Sequence, residues 1–182
     1  AASQRPDLRR LYMRMVSRAS VREGDQQREL LEFYRTLKSE EERVLILPAA
    51  ATTPAAFPDL WEAFGGTEPM QNAAVDGIGN LVKLRVKSLQ SAEENVRATT
   101  RSLSSVTTFA AEIANRLFEK IMGVGPHDKR VDVALRAMGA LPLPKDWAIS
   151  EDALQTVLAI LENREQPSIR RLALRLLATL KP

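Results

Sequence analysis

Cysteine is absent from all 182 residues, and histidine occurs once. Without a thiol the chain can form no disulfide, no cysteine nucleophile and no cysteine-ligated zinc site. With one imidazole, His127, it can build no multi-histidine metal site either. Aromatic residues are scarce, at 5%. Strands are enriched in aromatic and β-branched residues, so this shortage weighs against a sheet. No apolar run approaches the roughly 18 residues of a membrane span. The opening Ala1-Ala2-Ser3-Gln4 does not read as a signal peptide, and the missing initial methionine suggests a domain excised from, or processed out of, a longer protein.

What is present is ordinary for a folded chain: 45% hydrophobic and 27% charged residues, with a net charge of +3. That surplus is small. It permits an acidic protein, a nucleic acid or an anionic lipid as partner and demands none of them. The lack of disulfides fits an intracellular, cytoplasmic setting.

The stretch "AAVDGIGNLVKLRVKSLQ", residues 73–90, separates two classes of protein. Read as a phosphate loop, it should offer either a third glycine or a Gly-Lys-Ser/Thr ending, and a β-run before it. It has none of these. Read as a strand, "VKLRVK" alternates well, yet no second run exists to accept its ladder hydrogen bonds. Val82, Val86 and Leu89 also fit a helical stripe, and the helix is the better reading. Its glycines then cost about 1 kcal/mol each relative to alanine. The expected compensation is a small-residue face, Ala73, Ala74 and Gly77, that lets another backbone come close.

Helical periodicity runs through the rest. Residues 7–22 place Leu8, Leu11, Tyr12, Met15 and Ala19 on one side, closed by Gly24. Leu30, Leu31, Tyr34 and Leu37 do the same in the next segment, so the two should pair as an antiparallel hairpin. Ser39 and Glu42 match a capping box, opening a short helix that should end or kink at Pro48. Residues 48–58 carry three prolines and read as a surface loop wrapping the body, with a flexible interdomain linker as the alternative. A short helix over 58–64 stops at Gly65-Gly66. Thr67 and Pro69 then open the longest proline-free reach. A single helix from there to Met122 would be roughly 80 Å long, so a kink or break is expected at "SLSSVTT", residues 102–108, where hydroxyls compete for backbone bonds. "GVGPHD" is a stop. Three helices follow, over 129–138, 151–162 and 167–180, with Ser150 and Pro167 at helix-start positions. The last one, "SIRRLALRLLATL", is similar in pattern to the second helix of HEAT-type repeats, which implies a stacked helical end.

The expected architecture is therefore all-α: a helical bundle with a long central helix, kinked or broken, and a HEAT-like C-terminal end. It is read as one helical domain of a larger protein over 1–182. Its subdivisions are 1–66 (N-terminal helices), 67–123 (a long helix or a helix pair) and 124–182 (the C-terminal stack).

Candidate chemistry is thin. His127 beside Asp128 does not by itself make a relay to a serine, and an exposed turn residue is the simpler account. Glu40-Glu41-Glu42 and Glu93-Glu94 point about 100° apart from residue to residue, which suits a solvated helix face better than an acid–base pair. The arginines are more suggestive. Arg10, Arg14, Arg18 and Arg22 recur every four residues and form a slanting ridge; Arg164, Arg170, Arg171 and Arg175 cluster near the end. Either set could meet carboxylates or phosphates. Trp61 and Trp147, each in a proline-flanked segment, are read as loop anchors or as interface contacts.

The expected function is a non-catalytic protein–protein interaction module, an adaptor or scaffold. Its candidate contact residues are Arg10, Arg14, Arg18, Arg22, Arg170, Arg171, Arg175, Trp61 and Trp147. Nothing in the sequence asks for a cofactor or a metal. The competing expectations are nucleic-acid or anionic-membrane binding through the arginine ridge, and a metal-free, cysteine-free enzyme or enzyme-recruiting domain.

Overall fold

The computed structural model describes residues 25–93, 99–144, 147, 150–163 and 167–178. Every regular element among them is a helix, and no strand occurs there. The chain divides into two compact units, Ala1–Leu84 and Arg85–Pro182. The helix expected over 7–22, and its hairpin with the next one, lie outside the described residues.

The first unit contains α1 (Asp25–Thr36), α2 (Glu40–Ala50), a single 3-10 turn (Pro54–Ala56), α3 (Phe57–Ala63) and the first part of α4 (Glu68–Glu93). Leu30, Leu31, Tyr34 and the following Leu37 are all buried, as their spacing requires, and α1 packs on α2. Arg35 ties the end of α1 to α3. Its Nη2 donates to Asp59 Oδ2 at 2.8 Å and to the Ala55 carbonyl at 3.3 Å. The proline-rich segment is thus a wrapped connection, with Ala51, Ala56 and Phe57 in the core.

Two expectations for α2 need correction. Ser39 does occupy the N-cap, with extended backbone, and its carbonyl accepts from the Arg43 N–H at 3.0 Å. Its side chain makes no capping hydrogen bond, so the box with Glu42 is not formed. Three carboxylates in the first turn face the positive end of the helix dipole instead. Pro48 does not end the helix, which continues to Ala50. Its missing N–H deprives one carbonyl, that of Val44, of its helical partner, and only two residues of the helix follow it. Leu47 accepts from Ala51 N–H at 2.9 Å, and the Pro48 carbonyl accepts from Asn80 Nδ2 at 2.9 Å.

α4 answers the question posed by residues 73–90. All of them are helical, so Gly77 and Gly79 sit in a helix interior and no strand forms at 82–87. Backbone N–H groups there are spent on the helix, not turned toward an anion. Ala73, Ala74 and Gly77 are buried. A Cβ added at Gly77 would lie 2.6 Å from Leu60 Cδ2 and 3.0 Å from Ala51 Cβ. A neighbour does come close, but what meets Gly77 is the side chains of Leu60 in α3 and of Ala51, not the second backbone that the small residues suggested. Gly79 has nothing within 4 Å.

The second unit holds α5 (Thr99–Val124), α6 (Arg130–Gly139), α7 (Glu151–Asn163) and α8 (Pro167–Ala178). Residues 102–108 lie inside α5, so no break falls there; α4 ends at Glu93 and α5 begins at Thr99. Val106, Ala110, Ile113, Leu117 and Ile121 form a buried stripe at helical spacing. Burial of that stripe outweighs the weak helix preference of the serines and threonines. Gly125, at φ +82, closes the helix, its N–H reaching the Ile121 carbonyl at 2.9 Å.

α5 packs against α6 and α7, and α8 packs against the same two, so the four helices close a ring around a shared core. α6 buries Val131, Val133, Ala134, Leu135, Ala137 and Met138, more than one face of a short helix, because it has neighbours on two sides. Ser150 caps α7 as its position predicts, its Oγ accepting from the Ala153 N–H at 3.2 Å. Pro167 opens α8. Among the described residues no helix is long and apolar enough to cross a membrane.

Candidate functional site

The tryptophans leave the surface. Trp61 is buried in the first unit, its ring edge-on to Phe64 with centroids 5.9 Å apart. Trp147 is buried in the second, stacked on Phe118 at 6.2 Å, and its indole N–H donates to Asn115 Oδ1 at 3.2 Å. Trp147 anchors an irregular segment onto α5, whereas Trp61 is a buried residue of helix α3 itself.

The arginines fall into two groups. Arg10, Arg14, Arg18 and Arg22 lie outside the described residues, as does the side chain of Arg175. Arg170 and Arg171 are exposed on α8. They share that side of the helix with Pro167, Leu174 and Ala178, a spacing of three or four residues that keeps one face toward solvent. Leu174 is 54% exposed. The neighbouring α7 shows a matching stripe of Glu151, Gln155, Leu158 and Glu162, with Leu158 at 38%. Among the described residues no ion pair engages Arg170, Arg171, Glu151 or Glu162.

His127 is exposed in the turn after α5. Its neighbour Asp128 is committed elsewhere. Asp128 Oδ2 accepts from Arg130 Nη2 at 2.6 Å, and Oδ1 accepts from the Arg130 backbone N–H and from Nε, each at 2.8 Å. These bonds hold the Asp128 carboxyl down at about 2. They also serve the start of α6, one residue from its assigned cap, so the group works as a helix cap and not as a histidine's partner.

One concave site was not foreseen from the sequence. In the first unit a half-open cleft of about 250 Å³ is lined by Lys38, Glu40, Arg43, Glu62, Thr67 and Met70, among others. Two of its walls are fastened from behind. Arg43 Nη2 donates to the Tyr34 hydroxyl at 3.0 Å, and its guanidinium carbon lies 5.1 Å from the centroid of that ring. Burial pushes the Tyr34 phenol above its ordinary value, and Arg43 pulls it back. The Thr67 hydroxyl donates to Glu40 Oε1. The charges are balanced, two cations against two carboxylates.

Among the described residues no group of three or more His, Asp or Glu side chains could hold a metal ion. No protein family, curated protein or solved structure matches the chain.

Proposed function

We propose that the chain is a non-catalytic protein-interaction module that engages its partner through the exposed side of the α7–α8 pair. The observation that carries this reading is Leu174. It is a large apolar side chain, more exposed than the other exposed large apolar residues described, Met122 and Leu158, and it lies one turn beyond Arg170 and Arg171, which no ion pair engages among the described residues. Scattered apolar residues on a surface are normal. A leucine one turn from two arginines on a regular helix face, beside a second exposed leucine on the adjoining helix that carries carboxylates, has the form of an interface: an apolar centre with charged residues beside it.

Site-directed photo-cross-linking from position 170 or 178, in cells, tests it. The expected result is a cross-link to protein that disappears in Leu174→Asp, a substitution at an exposed position that leaves the helical signal unchanged. Absence of any protein cross-link, together with detectable turnover of a substrate by the purified chain, would overturn the reading. Cross-links to nucleic acid or lipid instead, with affinity falling steeply as salt rises, would favour the polyanion alternative.

A further inference from the structure

We propose that the occupant of this face is a second copy of the same chain, paired by a two-fold rotation that sets α7 of one copy against α8 of the other. The proposal rests on the interaction reading above and names the partner. Three observations carry it.

The first is charge. The exposed residues of α7 include Glu151, Asp152 and Glu162 and no cation; those of α8 include Arg170 and Arg171 and no carboxylate. A two-fold interface uses one patch twice, so a patch that is half acidic and half basic complements itself. A foreign helix complementary to α8 would be acidic and would be repelled by α7 alongside it. A second copy meets both halves at once.

The second is register. α7 and α8 are packed on each other and joined by three residues, so they run antiparallel. Leu158 with Leu174, and Glu162 with Arg170, are two pairs centred on the same position, 166. In antiparallel helices one shared centre means one shared register. The alignment that sets leucine beside leucine therefore also sets carboxylate beside guanidinium.

The third is that these groups are unspent. Within the chain both leucines stay exposed, and no ion pair joins Glu162 to Arg170 among the described residues. Turning the hairpin onto its copy, with the connections at the same end, produces a four-helix arrangement in which each pair occurs twice.

The absence of cysteine makes the test clean, because an introduced thiol has no competitor. Leu158→Cys and Leu174→Cys are made separately, one carrying a tag, and mixed under mild oxidation. The proposal expects mixed disulfide dimers well in excess of either homodimer. Sedimentation should show wild-type dimer. Arg170→Glu with Arg171→Glu should weaken self-association at least about tenfold, and adding Glu151→Arg with Glu162→Arg should restore it. Circular dichroism confirms that each variant is folded. Homodisulfides as abundant as mixed ones, or no rescue by the double reversal, would overturn the two-fold pairing. A chain that stays monomeric up to its solubility limit, yet still cross-links to a different protein from α8, would sink the second copy and leave the interaction reading standing. A monomer with no protein cross-link at all would sink both.

Discussion

A methyl group of Leu60, Cδ2, lies 2.6 Å from where residue 77 would carry a Cβ, and Ala51 Cβ lies 3.0 Å from the same point. Leu60 and Ala51 are both fully buried, so neither can swing out of the way. Gly77→Ala gains about 1 kcal/mol of helix propensity and pays about 1–3 kcal/mol of overpacking, so a net loss of stability is expected. Gly79, two residues on, has open space around it, and Gly79→Ala should stabilise by about 0.5–1 kcal/mol. Urea titration of the two variants checks the opposite signs. Equal effects would show that the contact with α3 is not what holds residue 77 small.

Trp147 should be the most sensitive single side chain in its irregular segment. Its replacement by alanine removes the stack on Phe118 and the bond to Asn115, and a loss of about 3–5 kcal/mol is expected. Trp147→Phe keeps most of the ring and forfeits the hydrogen bond. Asn115 is exposed and can turn to water, so that variant should cost only about 1 kcal/mol. Thermal unfolding of the two variants measures the difference.

Ser150 and Ser39 occupy equivalent starts of α7 and α2, yet only Ser150 uses its side chain. Ser150→Ala should lower stability by about 1 kcal/mol. Ser39→Ala should change it by a few tenths of that. Chemical denaturation of the pair is the check, and a similar loss at both would mean that the Ser39 hydroxyl caps α2 after all.

The Asp128–Arg130 contact sets a pH dependence with a defined sign. The folded carboxyl is held at about 2, below its ordinary 3.8, so its contribution is complete above about pH 4 and fades as pH falls toward 2. The partner is two residues away and the pair lies near the surface, so part of it survives unfolding; a contribution of about 0.5 kcal/mol is expected. The stability gap between wild type and Asp128→Asn should be flat from pH 7 to about 5 and narrow through the acid range. A gap that persists unchanged down to about pH 2 would assign the effect to something other than this carboxylate.

Much of the architecture was readable because it depends on local signals. Gly65-Gly66, Ser150 and Pro167 mark helix limits through backbone chemistry that needs no distant partner. Gly77 announced a close neighbour because a glycine in a helix is costly without one. The misplaced features share a different cause. Pro48 sits inside a helix whose end is fixed by tertiary contacts, its carbonyl accepting from Asn80, 32 residues later. Residues 102–108 are helical because the apolar stripe beyond them packs on α6 and α7. Those partners are set by tertiary packing. The same holds for the sites: the cleft around Lys38 and Arg43 draws on Glu62 and Thr67 from other elements, and Asn115 could not be paired with Trp147 from order along the chain. The likeness of residues 168–180 to a repeat helix rests on leucine and arginine spacing that any amphipathic surface helix shares.

The placing of the two indoles has a practical corollary. Trp61 falls in one compact unit and Trp147 in the other, and the chain has no third. Each half thus carries its own intrinsic emitter. Exchanging either one for phenylalanine leaves a single indole which, excited at the red edge where tyrosine does not absorb, follows only the half that holds it, so the protein's own light can tell whether the two halves melt together or one before the other.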